Sequence, residues 1–85
     1  MVTKQLMRLD SLDERDVIRR ILTDYQTQSG RCVSSWRDIS GALRTTRLRI
    51  ESTTGAPLDP SDSPYDLIKN GCDVDLSEES RVPRG

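Results

Sequence analysis

Residues 65–76 read Tyr65-Asp66-Leu67-Ile68-Lys69-Asn70-Gly71-Cys72-Asp73-Val74-Asp75-Leu76, two short alternating runs on either side of Asn70-Gly71. Asn-Gly is the dipeptide that a two-residue type I′ turn asks for, because both central residues need positive φ. With the turn placed there, Lys69 opposes Cys72, Ile68 opposes Asp73, Leu67 opposes Val74, Asp66 opposes Asp75 and Tyr65 opposes Leu76. Tyr65, Leu67, Val74 and Leu76 then share one face, and Asp66, Asp73 and Asp75 share the other. A slip of one residue would bury the aspartates, so the register is well specified. An isolated hairpin is marginal in water, so its apolar face needs something to pack on.

That partner lies upstream. Ser11-Leu12-Asp13-Glu14 is a capping-box pattern, and Asp13, Glu14 and Asp16 suit the positive end of a helix dipole. Val17, Ile18, Ile21, Leu22 and Tyr25 follow at i, i+1, i+4, i+5 and i+8, one helical stripe. Gly30 is a C′ stop, so the pattern predicts a helix from about Leu12 to Gln28. A second start signal comes at Ser35, with Asp38 three residues on and Trp36, Ile39 and Leu43 on one face. Gly41 costs about 1 kcal/mol relative to Ala inside a helix, which limits this one to about three turns. Leu48 and Ile50 alternate with Arg47, Arg49 and Glu51 as a weak strand, and Ser52 to Pro57 reads as a mobile loop. Asp59-Pro60 starts a turn, and Pro64 holds the chain extended as it reaches Tyr65. The expected architecture is α+β: two N-terminal helices packed on a small antiparallel sheet with a C-terminal hairpin from Tyr65 to Leu76. Residues 10–77 form the single domain, with 1–9 and 78–85 as flexible ends.

Composition bounds what such a domain can do. Among 85 residues there is no His and no Phe, one Trp and two Tyr, so Trp36 and at least one Tyr should anchor a thin core. Without His the commonest general base is missing, and no glycine-rich phosphate loop is present. Ser34, Ser35 and Ser40 read as helix-terminal or surface hydroxyls. No run approaches the ~20 apolar residues that span a bilayer. Cys32 and Cys72 have no CxxC spacing, which argues against zinc or thioredoxin-like chemistry. Two small core thiols are the favoured reading, and whether the two cysteines pair stays open.

Net charge is −1, but it is unevenly spread. Residues 1–50 hold ten Lys/Arg and six Asp/Glu, whereas residues 51–85 hold three and eight. The first helix mixes both signs, which favours solubility and internal complementarity over a nucleic-acid face. Arg37, Arg44, Arg47 and Arg49, around and after the second helix, form a possible interaction surface. They lack the interleaved aromatics of a nucleic-acid patch. Asp59, Asp62 and Asp66 could offer oxygens to Ca²⁺, but no DxDxDG spacing supports this, and no cofactor is expected.

Two segments carry a resemblance. Gly30-Arg31-Cys32-Val33-Ser34-Ser35-Trp36-Arg37-Asp38-Ile39 and Leu58-Asp59-Pro60-Ser61-Asp62-Ser63-Pro64-Tyr65 resemble a bacterial pattern. It runs from a helix ending HGRxPxSWEEL, through a linker, to DPWGxPY or DPxGxPY at the start of a β-hairpin. That pattern occurs in periplasmic domains of type II secretion pseudopilins and in similar segments of some proteins carrying tetratricopeptide-type repeats. The similarity covers Val17 to Pro83. It departs at Val33, where relatives carry Pro, and at Asp62, where they carry Gly. Asp tolerates left-handed φ, so the turn can survive. The long apolar N-terminal helix and the acidic calcium loop of filament-forming pseudopilins have no counterpart in this sequence. The resemblance implies a non-catalytic interaction or structural module of an envelope-associated protein, periplasmic or envelope-bound, whose partner is protein. The alternative is a small cytoplasmic regulator that binds nucleic acid or protein through the arginines.

Overall fold

The computed structural model describes residues 4–83. Helix α1 spans Lys4–Ser29, about 39 Å at 1.5 Å per residue, and sets the longest dimension of the molecule, 41 Å. It starts eight residues before the predicted boundary. Lys4 to Leu9 is a run of good helix formers, so the chain is already helical when it reaches Ser11. The capping box therefore does not form, and Ser11 becomes a fully buried mid-helix residue. Residues 4–9 of the expected flexible end are helical; residues 1–3 lie outside the described structure. Ile18 and Leu22 are buried, with Ile21 and Tyr25 packed at the margin. Val17, expected in the stripe, is 37% exposed. Gly30 closes the helix at φ +77°, its amide 2.8 Å from the Gln26 carbonyl.

The second helix is shorter than expected. A 3-10 turn over Trp36–Ile39 runs into a single α turn, α2, at Ser40–Leu43. Ser35 makes no side-chain cap. Instead the Ser34 amide and hydroxyl both donate to the Asp38 carboxylate, each at 2.8 Å, and these bonds hold that carboxyl below its ordinary range. At the other end the Thr45 and Thr46 hydroxyls donate to the Ala42 and Leu43 carbonyls, occupying acceptors that further helix would have used. Trp36, Ile39 and Leu43 are buried as predicted.

The weak strand reduces to one antiparallel bridge, Ile50 with Pro57. The segment expected to be a mobile loop is a hydrogen-bonded turn: the Gly55 amide donates to the Glu51 carbonyl, and the Glu51 amide to the Ala56 carbonyl, both at 2.9 Å. Ala56 and Pro57 are buried behind it. A tighter turn follows around Asp59, whose buried carboxylate accepts from the Ser61 amide, the Ser61 hydroxyl and the Ser63 amide. Its second oxygen accepts from the Ser80 hydroxyl at 2.5 Å. A fully satisfied buried carboxylate is tolerable where a bare one would not be. This one also ties in residues expected to be a flexible end, and Val82 is buried. Asp62 takes φ +69°, the left-handed geometry expected of it.

Strands β1 (Tyr65–Ile68) and β2 (Asp73–Leu76) pair antiparallel in the predicted register, from Tyr65 opposite Leu76 to Ile68 opposite Asp73. The turn has type I′ character, with Asn70 at φ 59°, ψ 35°, Gly71 at φ 87°, and the Cys72 amide 3.2 Å from the Lys69 carbonyl. Lys69 is also at positive φ, so pairing stops at Ile68 and Asp73, and Lys69 does not face Cys72 as a ladder pair. Asp66 is exposed as expected. Asp73 and Asp75 are not simply solvated: Arg19 bonds Asp73 at 2.8 Å and Arg15 bonds Asp75 at 3.3 Å. Arginines four apart on a helix match aspartates two apart on a strand, which docks β2 along α1. Each aspartate also accepts from the next residue's amide, Val74 or Leu76.

The hairpin turn is fixed to the segment after α1 in two ways. Cys32 and Cys72 form a disulfide across 40 residues, with Cα atoms 4.9 Å apart. The pairing left open by the sequence is therefore made, and the favoured reading of two core thiols is corrected. Exposure of Cys72 fits a cross-link at the rim better than a thiol in the core. Beside it, Gly71 packs so closely on the Val33 carbonyl that a Cβ would collide with that backbone oxygen. No helix among the described residues is long and apolar enough to cross a membrane.

Gly71→Ala should cost at least about 2 kcal/mol in urea unfolding, since it adds a backbone collision to a positive φ. Reduction of the disulfide, or the Cys32→Ser/Cys72→Ser double variant, should cost about 4 kcal/mol by loop-closure entropy for a loop of this length. The same unfolding curves measure both.

Candidate functional site

A shallow groove of about 360 Å³ lies between α1 and the chain that leaves α2. Asp13, Glu14 and Val17 line it from the helix, at i, i+1 and i+4, which places them on one side of α1. Thr46, Arg47 and Leu48 line the other wall. That wall is held in place by Thr46, whose hydroxyl donates to the Leu43 carbonyl at 2.6 Å and accepts from the Leu48 amide at 3.2 Å. Val17 and Leu48 make the apolar part. Leu9 and Leu12, elsewhere on α1, are 51% and 40% exposed.

Under the groove runs a short polar chain. The Tyr65 hydroxyl donates to the Glu14 carboxylate at 2.7 Å and lies 3.0 Å from the Ser11 hydroxyl. Tyr65 has one proton, so Ser11 is the donor in the second bond. Burial disfavours the charged form of Glu14 and raises its pKa, against the opposing pull of the Tyr65 hydrogen bond. Tyr65 is likewise pushed up, chiefly by burial, with the Glu14 carboxylate acting in the same direction. The Ser11 hydroxyl is fully buried, and both other groups are spent on each other. This arrangement fixes the floor of a groove and presents no free nucleophile to it.

The four predicted arginines do not gather at one place. Arg47 lines the groove. Arg49 bonds the Asp62 carboxylate and donates to the Asp59 carbonyl at 2.8 Å, so it braces the turn before the hairpin. Arg37 and Arg44 are exposed on the 3-10 turn and just after α2. The carboxylates considered for a cation are divided too: Asp59 is buried among hydroxyls and amides, Asp62 faces Arg49, and Asp66 is on the outer face of β1. No group of three His, Cys, Asp or Glu able to hold a metal ion occurs among the described residues. Asp13, Glu14, Val17 and Leu48 were missed as site residues. The first two carried a helix-start signal and the second two a core signal, and only the packing of residues 46–48 against α1 gives them a common surface.

No protein-family model matches the chain, and neither a curated protein nor a solved structure does.

Glu14→Gln tests the buried carboxylate. A folded-state pKa raised above 4.5 means that the native state holds the Glu14 proton more tightly than the unfolded chain. Its stabilising contribution is thus complete below pH 4.5 and is lost as pH rises through the folded value. Glutamine keeps the acceptor for Tyr65 without that loss. The variant should melt higher than the parent at pH 7, and the difference should shrink toward pH 4.

Proposed function

We propose that the chain is a non-catalytic interaction or structural module, resembling the pseudopilin-like domains of bacterial envelope-associated proteins. The observation that carries this reading is the exposed Val17 side chain on α1, which with Leu48 makes the apolar part of a preformed groove. Apolar side chains left exposed next to a shaped recess are what a protein-binding face needs. The rigid elements that carry them, a long helix braced on a hairpin, suit positioning better than turnover. The buried Ser11 and the mutually bonded Glu14 and Tyr65 accord with a role without chemistry.

The order of elements supports the family resemblance. The Gly30 to Ile39 segment ends the long helix and opens the 3-10 turn, and the Leu58 to Tyr65 segment leads into the hairpin. The cross-link between Cys32 and Cys72 suits an oxidising compartment such as the periplasm, since cytosolic thiols are normally kept reduced.

Thiol trapping combined with cell fractionation tests this. Alkylation of native material before and after reduction should find Cys32 and Cys72 oxidised, in the periplasmic or membrane fraction. A cytosolic chain with two free thiols that shifts DNA in a salt-sensitive gel assay would instead establish the arginine-based regulator.

A further inference from the structure

We propose that the groove between α1 and the Thr46–Leu48 segment is one half of a two-fold symmetric contact with a second copy of this chain. This rests on the reading of the chain as an interaction module and names its partner. A two-fold contact brings one patch against itself, so the patch must be complementary to its own rotated copy. This one is. Asp13 stands on the helix wall and Arg47 on the wall after α2, and Val17 and Leu48 line the same groove.

Among the other charged groups nearby, Glu14 is bonded to Tyr65, Arg15 to Asp75 and Arg49 to Asp62, whereas Asp10, one turn before Glu14 on α1, is exposed beside the patch. Asp13 and Arg47 are exposed and have no ion-pair partner among the described residues. A uniformly basic partner would meet Arg47 as a like charge, and a nucleic acid or an anionic membrane would meet Asp13. A second copy turned by 180° meets neither obstacle: each Asp13 faces the other copy's Arg47, and each Arg47 faces the other copy's Asp13. Val17 and Leu48 line the same groove, and exclusion of water by them in the contact strengthens both charge pairs.

Sedimentation equilibrium of the oxidised 85-residue chain, from about 10 µM to about 1 mM, is the test, because a patch below standard interface size gives a weak dimer. A concentration-dependent dimer is expected. Val17→Glu should abolish it, while Asp13→Arg and Arg47→Glu should each weaken it at least tenfold. The Asp13→Arg/Arg47→Glu double variant should recover most of the parental affinity, because the exchanged charges again face each other. Arg44→Glu, outside the groove, should leave it unchanged, and circular dichroism confirms that each variant is folded. A monomer throughout the range, or a dimer indifferent to the groove variants, overturns the proposal. Either result is independent of the trapping and fractionation outcome, so the symmetric contact can fail while the envelope-module reading stands.

Discussion

The Tyr65 hydroxyl bonds Glu14 and lies within bonding distance of Ser11, both on α1. Its amide bonds the Pro57 carbonyl at 2.9 Å, and its residue pairs with Leu76 across the hairpin. One residue, 1% exposed, thus fixes the helix through its side chain and the middle of the chain and the sheet through its backbone. A core with one Trp and two Tyr in the whole chain has few large residues to spare. The ring therefore has to serve packing and hydrogen bonding together, and the polar end must find partners because it is buried. Ser11 and Glu14 are those partners, which accounts for a buried serine in the middle of a helix; the Glu14 pKa is raised by burial, against the pull of the Tyr65 bond.

The remaining restraints differ in strength. The disulfide removes several kcal/mol of unfolded-state entropy, whereas ion pairs of the Arg15–Asp75 and Arg19–Asp73 kind contribute at most about 1 kcal/mol each. The pairs are still informative, because their spacing selects how β2 lies along α1. Asp73 shows the competition within one group. Burial opposes its charge, yet the Arg19 bond and the Val74 amide keep its pKa below the ordinary value. Its contribution is therefore present above pH 3.8 and lost as pH falls through the lower folded value.

The candidate site depends on this framework. Glu14 belongs both to the Tyr65 network and to the groove wall, and Thr46 both ends α2 and orients Leu48. Surface and core are thus built from the same residues. The groove is a consequence of how a thin-cored domain closes over one side of its helix.

The sequence by itself determined the hairpin register, the helical stripe of Ile18 and Leu22, the buried Trp36 and the left-handed turn at Asp62. Each follows from a local rule: alternation, helical period, aromatic scarcity or tolerance of positive φ. Tertiary structure decided the rest. What the Ser11 hydroxyl bonds inside the fold depends on Tyr65, 54 residues away. Whether two cysteines pair depends on the hairpin turn reaching the end of α1. Asp73 and Asp75 were legible as one face of a strand, but not as partners of Arg19 and Arg15. Arg47 was legible as a surface charge, but not as the wall opposite Asp13. Local propensity carries no record of which distant segment will lie alongside, and that choice belongs to the folded chain.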